Sequence, residues 1–511
     1  MLAVALRLIN LNGRPLWYDE AFAILYAEKS LSAILSGTLT PVQGAAADVH
    51  PVAYYFLLHG WMMLVGQTPL AVRMLSVIYG VGTVALVYRA MRDLFSEAVG
   101  RWSALVVAIA PFQIAYSQEA RMYAMLGFWS TAALAAFVCA WRTDSLRAWA
   151  AFVVCGALTL YSHNFGFVTL FVLGLWAIVR AVFPLTRPGG RRDRNDPEMR
   201  QRWQLVGKMA IAAPLMILLF SPWLLHLPGQ LGKIGQAYWV PRPGALTLVQ
   251  TLIAFTFDFE NAVFPRVLLP LALFGAVLVV TVIVWQILIR NGHKEMPTNL
   301  CVLSCKVWLL ATLAFGPVVL VFVISQWIPV YIIRGLIPAS IVYAALAGWA
   351  LAEMSRLPRT MFGLPLGALV IAILAALYGY TGFPRGPYRE LDAFLRAQSQ
   401  PGDVIVHSNK LTFFPAHVYD RTLPQVFLAD PPGSGSDTLA RPTQKALGLF
   451  PTDLESTTEG KSRVWLVIFQ QAVVEVKGNH PHIAWLDEHM THAQTFSFGD
   501  VRVMLFVRKA A

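Results

Sequence analysis

The feature that most constrains this chain is a succession of apolar runs, each close to the length that crosses a lipid bilayer. A helix needs about 20 predominantly apolar residues to span the hydrocarbon core. Runs of this kind occur at residues 69–91, 102–117, 122–141, 148–161, 167–183, 204–226, 266–289, 307–328, 332–351 and 361–380. The shorter stretch from Met1 to Leu11 is interpreted as the end of a clipped first span. The chain is therefore predicted to cross the membrane about eleven times.

Composition agrees with this interpretation. Hydrophobic residues make up 57% of the chain, charged residues 13%, and the mean hydropathy is +0.57, which excludes an ordinary soluble globular protein. The net charge of +12 does not indicate nucleic acid as a partner, because the basic residues stand in short loops between apolar runs. The four cysteines lack the spacing of a zinc site or a disulfide framework.

The distribution of arginine and lysine predicts the orientation. Basic residues are concentrated in alternate loops, at 89–101, 142–147, 187–202, 290–294 and 356–359. The positive-inside rule places these loops in the cytoplasm and the remaining loops outside. The apolar runs 51–66 and 247–262 are short, and we interpret them as juxtamembrane or re-entrant helices.

The composition changes after Tyr380. Residues 385–511 are more polar and alternate helix-like segments, at 388–399 and 470–489, with strand-like segments at 403–407, 424–428, 463–469 and 501–507. We predict a transmembrane module over residues 1–382 and a soluble extracytoplasmic α/β domain over residues 383–511.

The first candidate site residues are the acids Asp19 and Glu20, which directly follow Trp17 and Tyr18 after the first span. Aromatic residues of this kind favour the membrane interface. A carboxylate there can act as a general base or hold a divalent metal. The alternative is an ordinary solvated loop or a helix cap.

Two further groups stand in the next outward loops. Glu119 and Arg121 belong to the polar string 116–123, which interrupts two apolar runs. Polar groups at a membrane edge are costly unless they pair or face a cavity, so these two residues belong either to a site or to a structural ion pair or helix cap. His50 precedes Pro51, and Asp48 lies two residues earlier. This pair suits a metal or an anion at a helix N-terminus, or is a loop feature.

Arg334 lies at the outer end of an apolar span without an acidic neighbour in sequence. A guanidinium can grip a phosphate with two hydrogen bonds, although an arginine there can also extend to the lipid headgroups. His163 stands in a tight turn between two spans and is not expected to act directly in catalysis. Because several outward loops each bring an acid, a base or a cation, we expect them to meet in one extracytoplasmic pocket.

These strings resemble the GT-C superfamily of polyprenyl-phosphate-dependent glycosyltransferases, in particular the bacterial relatives of protein mannosyltransferases and of the lipid A aminoarabinose transferase. The resemblance covers residues 10 to 340, and the matching strings are Leu16–Phe22, His50–His59, Arg73–Ser76, Ser117–Tyr123, Tyr161–His163 and Arg334–Ala339.

The resemblance implies an inverting hexosyl- or pentosyltransferase, with Asp19 as the catalytic centre and Glu119 in support. Glu119 and Arg121 match the family's second acidic motif, and Arg334 matches a position at the donor phosphate. We expect Arg121 and His50 to bind that phosphate as well. The resemblance also implies a divalent metal (Mg, Mn or Zn), for which Asp19, Glu20, Asp48 and His50 are the candidate ligands. His50 stands where the aminoarabinose transferases carry a lysine. The implied partners are a polyprenyl-phosphate sugar, membrane lipid and an acceptor lipid, protein or glycan at the cytoplasmic (inner) membrane.

Two other classes of protein share some of these features. A transporter or flippase of a lipid-linked sugar would also need a lipid groove and charged residues, but transporters usually place such groups at the bilayer midplane of repeated halves. No repeat is visible in this sequence. A surface binding protein would need only one span as an anchor. The sequence therefore favours the glycosyltransferase, without naming its sugar or acceptor.

Overall fold

The computed structural model describes residues 1–42, 50–183, 197–229, 240–258, 268–291, 298–380, 382–429 and 439–509. The chain divides into two compact units. The first comprises Met1–Ile9, Arg73–Pro228 and Val240–Tyr378. The second is formed mainly by Asn10–Val72 together with Gly379–Ala511. This division by contacts differs from the predicted boundary between residues 382 and 383, which separates membrane-spanning from soluble segments. The predicted boundary stays a prediction.

The N-terminal part of the chain is helical. Its elements are α1 (Leu2–Leu8), α2 (Tyr18–Ala27), α3 (Leu31–Leu39) and α4 (Ala53–Val65). The Ser30 hydroxyl accepts a hydrogen bond from the Ala33 amide and caps α3. Gly66 ends α4 with φ at +85°, a conformation that glycine adopts without steric cost.

The long apolar runs form helices. They are α5 (Pro69–Leu94), α6 (Glu97–Ile109), α7 (Pro111–Ser117), α8 (Tyr123–Thr143), α9 (Leu146–Ser162), α10 (Gly166–Val182), α11 (Pro197–Leu224), α12 (Ala245–Phe257), α13 (Leu268–Asn291), α14 (Thr298–Ile324), α15 (Ile337–Glu353) and α16 (Arg356–Gly379). A short 3-10 helix, Ile333–Leu336, leads into α15.

Over the described residues, seven helices are long and apolar enough to cross a membrane, or eight when α6 and α7 are counted as one bent span. α4, α9, α10 and α12 are shorter apolar helices. The predicted polytopic helical architecture is thus confirmed, whereas the number of about eleven crossings stays a prediction.

The bend between α6 and α7 has a local cause. The two helices meet at 61°. Ala110 precedes Pro111 and adopts an extended conformation (φ −61°, ψ 118°), because the proline ring disfavours helical geometry in the residue before it. Pro111 then begins α7, where its missing N–H is not needed. α7 then ends at Ser117, within the polar string 116–123.

Residues 382–509 form an α/β fold. The helices are α17 (Tyr388–Gln398), α18 (Lys410–Tyr419), α19 (Arg441–Leu447), α20 (Leu454–Thr458), α21 (Gln470–Glu475) and α22 (Pro481–His489). The strands are β1 (Val404–His407), β2 (Gln425–Phe427), β3 (Arg463–Phe469), β4 (Met490–Phe498) and β5 (Val501–Arg508), in the order β2-β1-β3-β5-β4. β1 pairs in parallel with β2 and β3, and β5 pairs antiparallel with β3 and β4.

Four of these strands coincide with the predicted segments, and β4 was missed. Most of its side chains are exposed, so the alternation of apolar and polar residues that marks a half-buried strand is absent. The predicted helix 470–489 is in fact two helices, α21 and α22. Lys477 and Gly478 lie between them, and both have positive φ angles.

Within the second unit, the helices of the C-terminal part pack against the N-terminal ones. α18 packs on α2, and α19 packs on α3. The Thr443 hydroxyl donates to the Gly37 carbonyl oxygen at 3.3 Å. This packing is close because Gly37 has no side chain: a Cβ atom there would lie 2.4 Å from the Tyr26 hydroxyl and 2.8 Å from the Ala446 Cβ.

Candidate functional site

The first candidate region is the polar string that follows α7. Residues Ser117 to Tyr123 are all buried, and Glu119 is only 1% exposed. The string turns tightly, since the Arg121 amide donates to the Glu119 carbonyl oxygen at 2.8 Å. A carboxylate and a guanidinium are thereby held inside the protein, two residues apart. Such burial of ionisable groups is costly in free energy and is typical of functional sites in membrane proteins.

The string is anchored to α1. The Arg7 Nε donates to the Ser117 hydroxyl at 3.1 Å, and the Gln118 side chain donates to the Arg7 and Ile9 carbonyl oxygens at 3.1 and 2.8 Å. Gly80 makes room for this contact, because a Cβ atom there would lie 2.1 Å from the Ser117 hydroxyl.

The structure brings Arg334 to the same string. Its guanidinium carbon lies 5.7 Å from the centroid of the Tyr123 ring, within cation–π range. The 3-10 helix holds this arginine at the start of α15, and Gly335 packs on the ring of Phe165, which a Cβ atom would approach to 3.0 Å. Arg334 thus contacts the last residue of the string that holds Glu119 and Arg121.

His163 adjoins the same tyrosine. The His163 and Tyr123 ring centroids are 5.8 Å apart. The His163 Nδ1 accepts a hydrogen bond from the Phe165 amide at 3.1 Å, which stabilises the turn between α9 and α10. This contact agrees with the expectation of a structural role for His163.

Arg73, also in the first unit, was not among the predicted site residues. Arg73, on α5, is fully buried. It belongs to the string Arg73–Ser76, which carries part of the resemblance. A single charged residue in an apolar run does not show how deeply its side chain is buried. A buried guanidinium among membrane helices is a candidate functional group.

The second candidate region is the first turn of α2. Trp17 precedes the helix in an extended conformation (φ −120°, ψ 174°), and Asp19 and Glu20 occupy the first turn. Carboxylates are favoured there by the partial positive charge of the helix N-terminus. The two acids differ in exposure: Asp19 is partly exposed, whereas Glu20 is fully buried.

Glu20 is bound by an arginine that is distant in sequence. The Arg385 Nη1 donates to the Glu20 Oε2 at 2.8 Å and to the Pro15 carbonyl oxygen at 3.1 Å. Arg385 could not be predicted as a partner of Glu20, because nothing in the local sequence relates it to a motif 365 residues away. The carboxylate of Glu20 is thus engaged, which argues against its predicted role as a metal ligand.

The remaining predicted metal ligands are Asp19, Asp48 and His50. His50, partly buried, lies two residues before Val52, the N-cap of α4. Asp48 lies outside the described residues. Among the residues that the structure describes, no three His, Cys, Asp or Glu side chains are grouped so that they could hold a metal ion.

The predicted site residues thus fall into two sets. Glu119, Arg121 and Arg334 belong to the first unit, and Asp19, Glu20 and His50 belong to the second. The structure brings Arg334 to the string that holds Glu119 and Arg121, through Tyr123. That the two sets share one pocket stays a prediction.

The first unit also contains an apolar cavity. It has a volume of about 390 Å³ and lies between α9, α10 and α11. Its walls include Phe152 and Leu160 of α9, Phe167 and Gly174 of α10, and Met216 of α11. Two of the wall residues, Leu160 and Phe167, stand in sequence on either side of the turn that contains His163.

The class of fold is shown by comparison with known proteins. The chain has the fold of the GT-C glycosyltransferases, which are polytopic membrane proteins, and the predicted fold class is confirmed. Residues 49–189 match the family described as Dolichyl-phosphate-mannose-protein mannosyltransferase. No curated protein sequence matches the chain.

The similar structures include ArnT from Cupriavidus metallidurans. In the apo state it is 12% identical, with a TM-score of 0.64 over 98% of this chain and 96% of that chain. The same protein bound to undecaprenyl phosphate is 12% identical, with a TM-score of 0.61 over 100% and 97%. The apo oligosaccharyltransferase of Archaeoglobus fulgidus is 14% identical, with a TM-score of 0.51 over 99% and 74%.

Proposed function

We propose that the protein is an integral membrane glycosyltransferase that takes a sugar from a polyprenyl-phosphate carrier and transfers it to an acceptor on the extracytoplasmic face. The observation that carries this proposal is the cluster of the buried residues Glu119 and Arg121 with the partly buried Arg334, in a chain whose fold is similar to that of ArnT bound to undecaprenyl phosphate. Arginines held in this way, in a unit that also contains an apolar cavity, suit a ligand with an anionic head and a hydrocarbon tail.

The proposed reaction is an inverting displacement. The acceptor hydroxyl oxygen forms a bond to the anomeric carbon, while the bond from that carbon to the phosphate oxygen breaks. The hydroxyl proton passes to Asp19 as general base, and polyprenyl phosphate leaves with the electron pair of the broken bond. Arg121, Arg334 and His50 stabilise the charge that develops on the phosphate, and Glu119 supports the base.

A divalent metal is a further proposal. If one binds, Asp19 and His50 are the described residues available as ligands, and the metal would supply Lewis-acid activation of the acceptor or the phosphate. Two ligands do not make a closed protein site. The roles given above therefore belong to the side chains and do not depend on a metal.

The cavity between α9, α10 and α11 is proposed to hold part of the isoprenoid tail. Its walls are apolar, and it lies in the same unit as Arg334, the residue proposed to bind the phosphate. Burial of hydrocarbon releases about 0.8 kcal/mol per methylene group, so a few isoprene units in this cavity would contribute substantially to donor binding.

The central test is Asp19→Asn, which keeps the shape of the side chain and removes its basicity. We expect transfer from a labelled polyprenyl-phosphate sugar, followed by mass spectrometry of membrane products, to fall at least about 100-fold. Glu28→Gln, at the other end of α2, is the matched control and should keep its activity.

The opposite results are also defined. Near-normal turnover of Asp19→Asn would remove Asp19 from the mechanism. Absence of transfer with every donor tested, together with movement of a labelled sugar lipid across reconstituted vesicles, would favour the flippase alternative.

A further inference from the structure

Contacts from the C-terminal part of the chain converge on the segment that carries Asp19. Arg385 precedes α17 and donates to both Glu20 Oε2 and the Pro15 carbonyl oxygen. Its guanidinium carbon also lies 5.4 Å from the centroid of the Trp17 ring. One guanidinium thus touches three of the six residues from Pro15 to Glu20.

Two aromatic residues of α18 contact Leu16 and Tyr18, which lie between the residues that Arg385 contacts. The Leu16 amide donates to the Tyr419 hydroxyl at 3.1 Å. The Tyr18 ring stacks on Phe414 with a centroid distance of 5.5 Å and an interplanar angle of 22°. Pro15, Trp17 and Glu20 are thus contacted by Arg385, and Leu16 and Tyr18 by α18.

The burial of the ion pair indicates its role. Arg385 is 2% exposed and Glu20 is fully buried. Removing two charges from water costs about as much free energy as their attraction returns, so such a pair adds little net stability compared with apolar residues of similar size. Its directional hydrogen bonds fix the geometry of the groups that they join.

We propose that Arg385 is a positioning residue for Asp19, acting through Glu20 and Pro15. Successive residues of a helix are rotated by about 100°, so fixing the Glu20 side chain in the interior sets the direction of Asp19 at the partly exposed edge. The C-terminal domain is therefore part of the catalytic apparatus. This inference rests on the proposed function, in which Asp19 is the base.

The test compares Arg385→Met, Glu20→Gln and the double variant. Each single variant leaves one buried charge without its partner, and we expect kcat to fall by at least about 10-fold while the KM for the donor changes by less than about 2-fold. The double variant removes both charges, so its thermal stability should return toward that of the wild type while kcat stays low. Arg385→Lys should restore part of kcat.

The matched control is Arg421→Met. Arg421 also joins the C-terminal part to α2, but at Glu28 on its far end (2.7 Å) and at a more exposed position. Hydrogen–deuterium exchange supplies a readout independent of activity. The backbone amides of residues 16–20 should exchange faster than in the wild type in Arg385→Met and at the wild-type rate in Arg421→Met.

Recovery of both kcat and stability in the double variant would assign a purely structural role and overturn the inference. So would unchanged exchange of amides 16–20 in Arg385→Met. If the wild type shows no transfer at all, the proposed function fails, and faster exchange would then still establish that Arg385 orders this segment.

Discussion

Carboxylates in this protein differ in environment even when they are close in sequence. Glu20 is buried against Arg385, while its neighbour Asp19 is partly exposed. In the α/β fold, Asp403 accepts hydrogen bonds from the Trp465 indole and the Gln400 amide, both at 2.9 Å. Asp392 is only 3% exposed, and burial together with the negative charge of Asp420 raises the pKa of Asp392 to about 9.

The pKa of Asp392 predicts a dependence of stability on pH. In the unfolded chain this carboxyl ionises near its ordinary pKa of 3.8, whereas in the folded protein it stays protonated up to about pH 9. Between these values the folded state binds more protons, so stability falls as pH rises, by at most about 1.4 kcal/mol per pH unit. Asp392→Asn removes the ionisation and should stabilise the protein increasingly from pH 5 to pH 8.

The measurement is the thermal unfolding of the full chain in detergent at several pH values. Asp487→Asn, at an exposed position, is the control and should leave the pH dependence unchanged. A difference between Asp392→Asn and the wild type that does not grow with pH would show that Asp392 ionises normally in the folded state.

At the scale of elements, glycine positions decide how closely the helices approach. A Cβ atom at Gly156 of α9 would lie 2.5 Å from the Met216 sulfur of α11, so a side chain there would displace the end of the Met216 side chain. Gly174 differs: it lines the apolar cavity, and nothing lies within 4 Å of the position of its Cβ atom. The same residue type permits contact in one case and leaves space in the other.

Gly174→Leu should therefore fill the cavity without a clash. Because leucine favours helix over glycine, we expect no loss of thermal stability. If the isoprenoid tail occupies the cavity, the KM for a long-chain donor should rise at least about 5-fold, corresponding to one or two methylene groups displaced. A donor with a short prenyl chain should be affected less.

Gly207→Leu on α11 is the control, since its Cβ position is also open and Gly207 does not line the cavity. An unchanged KM in Gly174→Leu would assign the cavity to acyl chains of the bilayer and not to the donor.

At the scale of the whole molecule, the remaining question is orientation. It is a multi-pass membrane protein, and its basic loops are predicted to face the cytoplasm. The predicted outward location of the site and of the α/β domain follows from that distribution of charge.

Labelling of single added cysteines tests the orientation. A membrane-impermeant maleimide applied to intact cells should label Glu459→Cys, an exposed residue of the C-terminal fold, and leave Arg147→Cys, in a predicted cytoplasmic loop, unlabelled. Inverted vesicles should give the opposite pattern, and mass spectrometry of the labelled peptides separates these sites from the native cysteines. Labelling of Arg147→Cys in intact cells would reverse the predicted topology.

The helices and most strands could be predicted from the sequence because they depend on local patterns. The predicted spanning runs become the helices α5 to α11 and α13 to α16, the short run 247–262 contributes α12, and alternating or apolar segments become β1, β2, β3 and β5. The strings around Glu119 and Arg334 could also be found, because Glu119 and Arg121 interrupt two apolar runs and Arg334 lies at the end of another, in loops predicted to face outward. β4 escaped since its exposed residues carry no pattern.

By itself, the sequence determined the polytopic helical class, the α/β fold after residue 382 and the strings that contain the candidate site. Only the tertiary structure decided the partner of Glu20, the contact between Arg334 and Tyr123, the burial of Asp392 and the cavity beside Gly174. The physical reason is that helix and strand formation follow from neighbouring residues. Burial, ion pairing and cavity shape depend on packing between segments hundreds of residues apart.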